Sequence, residues 1–342
     1  MHRITDKTIN DFFRGMSIDL ESVEGSNSSG CSIEDKLPTK NCLIRGKEGQ
    51  YAIGRKIAQG RYGAVFEVLR KSDGKRLACK LEVCETHSHG LDQDYVIMNK
   101  GAKKGCQYLI HMLDRGKIEE YFKFIIMPLL GDNLMSIKNM FEDGRLSLSS
   151  GIRLSYHALF SLQELHNTLH FVHRDIKPSN FCLPAHYNEH NIKLILIDYG
   201  ICRSFKDKNG EWKNPRENVP FRGTTRYASL AAHYGKEQSP KDDLEAWFYM
   251  MVEFINGTLP WSDTHKDDRN VVKELKEKVA TNEGHHMIMK YCPRVEFRRI
   301  QTYIQGLHYQ STPDYNFLFD MLLLAMRNNQ ITLEEKYDWQ DN

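Results

Sequence analysis

The sequence predicts a two-lobed α+β protein, with a small antiparallel β-rich lobe ahead of a larger, mainly helical one. Three observations carry that expectation. The chain has 342 residues, 40% of them hydrophobic, enough to bury two cores. From Tyr51 the chain runs through short β-prone stretches broken by glycine-containing turns. After Gly131 the hydrophobic period changes from two to three and four.

Taken in order, residues 1–45 are polar and include "SVEGSNSSG", a composition that cannot bury enough apolar surface to order itself, so they read as a flexible arm. The folded domain is placed at 46–340, with the small lobe at 46–127, a hinge at 128–131 and the large lobe at 132–340. "YAIGRKIA", "AVFEVLR" and "RLACKLEV" begin an antiparallel meander, with "SDGK" at 72–75 as one of its turns. A short helix is expected over 91–100, then strands at "QYLIHML" and "FKFIIM". In "SGIRLSYHALFSLQELHNTLH" the residues Ile152, Tyr156, Leu159, Leu162, Leu165 and Leu169 make one broad apolar stripe of a helix. "IKLILI" at 192–197 is short and continuously apolar, as a buried strand is. "DDLEAWFYMMVEFING" leaves so little polar surface that it belongs at the centre of its lobe. Helices at 269–281, 295–307 and 315–328 complete the pattern.

Bulk chemistry excludes several classes. With 47 basic and 45 acidic side chains, nothing global points to nucleic acid or an anionic membrane as partner. Eight cysteines (Cys31, Cys42, Cys79, Cys84, Cys106, Cys182, Cys202, Cys292) show neither a C-x-x-C pair nor zinc-like spacing, and read as reduced thiols of the cytosol or nucleus. No apolar run reaches the length of a membrane span, and no signal core opens the chain.

The chemistry sits in "HRDIKPSNF", residues 173–181, where a base, a cation and an amide share one short loop in H-R-D-x-x-x-x-N order. Asp175 is suited to accept the proton of an attacking hydroxyl, Lys177 to neutralise charge on a transferring phosphoryl group, and Asn180 to hold a metal ion. Eighteen residues beyond Asn180, directly after "IKLILI", comes "DYG", whose Asp198 is placed to chelate magnesium. Upstream, Lys80 in "LACKLE" stands on a strand with Ala78 on the same face, as a lysine that grips phosphates does. Such a lysine needs a carboxylate from the next helix. Asp94 is the candidate, one methylene shorter than the usual Glu; Asp92 is the fallback, and either acid also reads as part of a solvated helix face. "IAQGRYGAV" at 57–65 matches G-x-G-x-x-G-x-V at Gly60, Gly63 and Val65, with Ala58 in place of the first glycine. A Cβ at 58 costs something only if the backbone there needs positive φ or close approach to a ligand.

With Lys80, Asp175, Asn180 and Asp198 in that order, the chain resembles the eukaryotic protein kinases, which implies the bilobal protein-kinase fold and the use of ATP and Mg2+. "FRGTTRYASLAAHYGKEQSPKDDLEAWFYMMVEFINGTLPW" (221–261) is similar to the casein kinase I group. "KPSNF", "FRGT", "MMVEF", "PDY" at 313–315 and "DW" at 338–339 bring it closest to the tau-tubulin kinase branch. The resemblance implies that Thr224 orients the catalytic Asp and Lys, and that Asp243 ties the central helix to the catalytic loop. It makes Met127 the gatekeeper and Pro128, Leu129 and Leu130 the adenine hinge, and it gives Ile57, Ala58, Val65 and Ala78 a nucleotide-binding role. Cys182 stands where the floor under the adenine is usually leucine, and it also reads as a small core residue.

Between Ile201 and Tyr227 there are seven basic and three acidic side chains, so this segment is positive in a nearly neutral chain. The arginine matching Arg226 helps bind an anion in the resembled group, and Arg222 stands with it, which suits acidic or primed substrates. Arg174 is able to pair with a phosphorylated activation segment, at Ser204 or Thr225. The resembled group commonly works without that step. The expected function is therefore a constitutively active, ATP- and Mg2+-dependent serine/threonine protein kinase, monomeric and cytoplasmic or nuclear. Its expected partners are protein substrates, cytoskeletal ones by resemblance, and neither nucleic acid nor membrane. The alternative is a pseudokinase scaffold, suggested by Ala58, Asp94 and Tyr199 together.

Overall fold

The computed structural model describes residues 36–84, 89–187, 192–265 and 267–340. The fold is bilobal α+β. Among the described residues, one compact unit takes those of 36–103 and 110–130, and a second takes those of 104–109 and 131–340.

The first unit is built on six antiparallel strands: β1 (Leu43–Arg45), β2 (Gln50–Gln59), β3 (Gly63–Arg70), β4 (Arg76–Val83), β5 (Asp114–Ile118) and β6 (Phe122–Pro128), in the order β1-β2-β3-β4-β6-β5. Alternation along the strands sends Ile53, Phe66, Val68, Leu77, Cys79, Leu81, Phe124 and Ile126 into one core. The residues between them on β4 and β6, notably Ala78, Lys80, Glu82, Lys123 and Met127, therefore project from the other face, where the helix α1 (Gly90–Lys104) supplies Asp94. Two expectations are corrected here. Leu43–Arg45, within the segment read as a flexible arm, is the edge strand of the sheet, with Ile44 buried and opposite Tyr51. The remainder of that arm up to residue 35 lies outside the described residues. "QYLIHML" is not a strand; the strand follows it, at Asp114–Ile118.

That misreading has a local cause, found within the second unit. Gly105, with φ +70°, ends α1, and the amides of Gln107 and Tyr108 then donate to the Glu164 carboxylate at 2.7 and 2.8 Å. With those amides taken by a side chain, the apolar run that follows buries Leu109 and Ile110 without joining a ladder of its own.

The second unit packs α3 (Leu148–Gln163), α5 (Pro240–Asn256) and α8 (Tyr315–Asn328) with the shorter helices α2 (Leu134–Lys138), α4 (Leu230–His233), α6 (Arg269–Ala280) and α7 (Arg294–Gly306). α5 is buried on nearly every side, and its Trp247 donates an indole N–H to the Ser155 carbonyl of α3 at 3.0 Å. Two small sheets carry the loops: β7 (Leu130–Asn133) with β9 (Phe181–Pro184) and β10 (Ile195–Leu196), and β8 (Phe171–Val172) with β11 (Arg203–Ser204). Only two residues of "IKLILI" pair as a strand, since β9 offers it a short partner. Arg153, wholly buried, donates to the carbonyls of Glu335 and Lys336 and lies 3.9 Å from the Tyr337 ring centroid, which fixes the C-terminal segment against α3.

Candidate active site

The loop between β8 and β9 is suspended from one buried carboxylate. Asp243, at the start of α5, accepts the backbone N–H of His173 at 2.6 Å and of Arg174 at 2.9 Å, and His166 Nε2 lies 2.8 Å from it. Burial pushes this carboxyl up, but the His166 contact and the donated N–H groups outweigh it and hold Asp243 below its ordinary range. Arg174 adopts a left-handed φ of +69°, a conformation that costs roughly 1–2 kcal/mol outside glycine and that these two hydrogen bonds hold in place.

Asp175 is next, and it belongs to a triangle. Thr224 Oγ1 donates to Asp175 Oδ1 at 2.7 Å, Lys177 Nζ donates to Asp175 Oδ2 at 2.7 Å, and Lys177 Nζ reaches Thr224 Oγ1 at 3.2 Å. Gly223 makes this approach possible: its φ is +106°, and a Cβ there would stand 2.4 Å from the Arg174 carbonyl oxygen. A carboxylate held this way keeps fixed lone pairs for one more donor, as a base for a hydroxyl group requires.

Asn180 is buried and gives its side-chain N–H to the Asp175 carbonyl at 2.8 Å, which leaves the amide oxygen as its ligating atom. Its own carbonyl accepts the Ile197 N–H at 2.9 Å, so Asp198 follows directly on a residue bonded to Asn180. Asp198 is exposed and left-handed, with φ +67°, while Tyr199 is fully buried and donates its hydroxyl to the Leu196 carbonyl at 2.5 Å. One amide oxygen and one carboxylate form an open, hard-oxygen pair, the kind Mg2+ takes when phosphates supply further ligands. Among the described residues no three His, Cys, Asp or Glu side chains converge into a closed metal site. The donor set thus fits magnesium.

In the first unit Lys80 Nζ donates to Asp94 Oδ2 at 2.6 Å, a direct ion pair, and Asp94 is fully buried. Asp92, the fallback, is turned away to Lys123, with 60% of its side chain exposed. Ala58 lies in extended β2 opposite Val65 and has no positive φ, so its Cβ carries no strain. Gly63 is required by packing, since a Cβ there would meet the Leu81 carbonyl oxygen at 1.9 Å, whereas a Cβ at Gly60 would meet only the Gly63 carbonyl oxygen, at an ordinary 3.9 Å. Ile57 is exposed; Ala78 and Met127 are buried opposite each other on β4 and β6; Pro128 ends β6 and Leu130 begins β7. Cys182, on β9, is buried enough that its thiol is pushed up to about 12.

The protein kinase domain family matches residues 51–328. The chain belongs to the protein kinase family. It is 31% identical over 293 residues to a probable serine/threonine-protein kinase of Dictyostelium discoideum, covering 86% of this chain and 57% of that protein. It is 30% identical over 311 residues to the serine/threonine-protein kinase spe-6 of Caenorhabditis elegans, covering 90% of this chain and 80% of that one. The chain thus spans little more than half the length of the first of these relatives.

The activation segment of the kinase domain holds its basic residues in unexpected company. Arg203 and Arg216 both pair with Glu237, which is 6% exposed. Arg226 donates to Glu253 Oε1 and to the Ser262 carbonyl, each at 2.9 Å. Arg174 directs its guanidinium to the Ile201 carbonyl. Arg222 is exposed and has no partner among the described residues. Lys276, wholly buried on α6, donates to the carbonyls of Thr225 and Ala228. Glu237, Glu253 and Lys276 were not legible as site residues by motif. A signal existed for Glu253: an acid in the apolar run "MMVEF" has to be paired once buried.

Proposed function

We propose that this chain is an active, constitutive serine/threonine protein kinase of the casein kinase I group, nearest the tau-tubulin kinase branch, with its kinase domain taking in the strand at Leu43–Arg45 and running to 340. The observation that carries the reading is the Asp175–Thr224–Lys177 triangle, complete and correctly bonded. Asp175 accepts the proton of the substrate Ser or Thr hydroxyl, held on target by Thr224. Lys177 donates toward the group in transfer, and Lys80, set by Asp94, holds the nucleotide phosphates. Asn180 and Asp198 would hold Mg2+. Bound Mg·ATP supplies the phosphoryl group and the charge neutralisation its outer phosphates need. The hinge (Pro128, Leu130), the gatekeeper Met127, and Ile57, Ala58, Gly60, Gly63, Val65, Ala78 and Cys182 are assigned to nucleotide binding.

Three observations support activity over a scaffold. Asp94 makes its ion pair without the extra methylene, Ala58 is unstrained, and Tyr199 keeps the buried aromatic role. Substrate choice follows from what is left uncommitted: Arg222 is the residue assigned to reading an acidic or primed substrate, while Arg226 already has Glu253 and supports the loop. A monomer of the cytoplasm or nucleus acting on cytoskeletal proteins fits the resemblance. The test is transfer of labelled γ-phosphate from Mg·ATP to casein, comparing wild type with Asp175→Asn and Asp198→Asn. Loss of at least about a thousandfold in both, with a wild-type signal present, is expected. No transfer by a wild type that ATP still stabilises against heat would establish the scaffold instead.

A further inference from the structure

Resting on the kinase reading above, we propose that Lys123 and Glu82 are positioning residues that draw the start of α1 onto the sheet, so that the short Asp94 side chain reaches Lys80. Glu82 and Lys123 face each other in register across β4 and β6. Lys123 Nζ lies 2.8 Å from Glu82 Oε1 and 2.8 Å from Asp92 Oδ2, and Glu82 Oε2 accepts the Leu91 N–H at 3.0 Å. Two independent links therefore join the sheet to the first turn of α1, one through a backbone N–H and one through the ammonium. Glu82 also sits at the positive end of that helix, where a carboxylate is favoured.

The need for such links comes from residue 94. An aspartate is shorter than a glutamate by about one C–C bond, ~1.5 Å, so a helix carrying it has to lie closer to Lys80 by a similar amount. The observed Lys80–Asp94 pair is direct, at 2.6 Å, and Asp94 is fully buried, so the short side chain does reach Lys80. Lys123 is partly withdrawn from water; burial lowers its affinity for a proton, but the two carboxylates of Asp92 and Glu82 beside it reverse that and hold its pKa above the ordinary value. It is a committed cation between two acids, 22% of its side chain exposed. A group that fixes the partner of a phosphate-gripping lysine acts on nucleotide affinity through geometry, without touching nucleotide.

A double-mutant cycle tests this, because it reads coupling rather than damage. KM for Mg·ATP and kcat on casein are measured for wild type, Lys123→Met, Lys123→Arg, Asp94→Glu and Lys123→Met with Asp94→Glu. Amide exchange over residues 91–98 is followed in each protein without nucleotide. Lys123→Met is expected to raise KM on the order of tenfold and to speed exchange, and Lys123→Arg to restore both. In the Asp94→Glu background the same change is expected to raise KM by less than about threefold, because the longer side chain reaches from a retracted helix. A KM within twofold of wild type in Lys123→Met, or an equal loss in both backgrounds, would overturn the proposal. Should wild type transfer no phosphate, the kinase reading falls, and exchange over 91–98 still decides the tether: unchanged exchange in Lys123→Met sinks it, faster exchange retains it.

Discussion

Residue 58 shows how far a motif can mislead about cost. Glycine is favoured in phosphate loops where φ turns positive or the backbone closes on a ligand, yet Ala58 is extended and paired with Val65, so the first demand does not fall on it. Ala58→Gly is therefore expected to leave KM for Mg·ATP within about twofold of wild type and to lower stability by about 0.5–1 kcal/mol, from the freedom glycine adds to the unfolded chain. Nucleotide kinetics and urea denaturation of the same variant check both halves; a KM several-fold lower would return the missing glycine to the site. Lys80, Asp175, Asn180 and Asp198 were singled out at this scale because phosphoryl chemistry would need a cation, a base and two oxygen ligands at such spacing. Asp94, the first candidate, is the acid that pairs with Lys80, while the fallback Asp92 turns to Lys123; both fall in one helical turn, and packing buries Asp94 alone.

At the scale of elements, apolar periodicity placed the long helices well, from Leu148–Gln163 to Tyr315–Asn328, and failed where side chains took over backbone bonds, as Glu164 does at Gln107 and Tyr108. The activation segment was the least legible piece, because its order depends on acids distant in sequence. Glu237 meets Arg203 and Arg216 there, a buried carboxylate paired with two arginines of the segment. Its carboxyl is raised by burial but pulled further down by Arg216 and Arg203, and stays ionised. Glu237→Gln is expected to cut casein phosphorylation roughly tenfold, since a charged buried pair loses on the order of 1–3 kcal/mol when one partner is neutralised. Phosphatase treatment of wild type is expected to change nothing. Activity that disappears with phosphatase and is indifferent to Glu237→Gln would assign the ordering to phosphorylation.

For the whole molecule, stability against acid follows from which groups folding keeps uncharged. His157 on α3 is held to about 4 by burial and then by Arg153, and His233 on α4 is held to about 4 by burial and then by Lys276. Both have an ordinary value of 6.5. Between those limits the unfolded chain binds protons that the folded chain refuses, so stability is complete above pH 6.5, falls as pH drops toward 4, and is flat in this respect below it. The paired carboxylates act in a lower window: Glu67, drawn down to about 2 by Arg76 and Arg55, releases its stabilisation only as pH falls below its ordinary 4.5. The two windows separate the causes. A melting-temperature series is expected to decline for wild type from about pH 6.5 downward, and for His157→Gln with His233→Gln only from about pH 4.5. Equal decline in the two proteins between those values would mean that the histidines are charged in the fold and that the carboxylates alone set its acid limit.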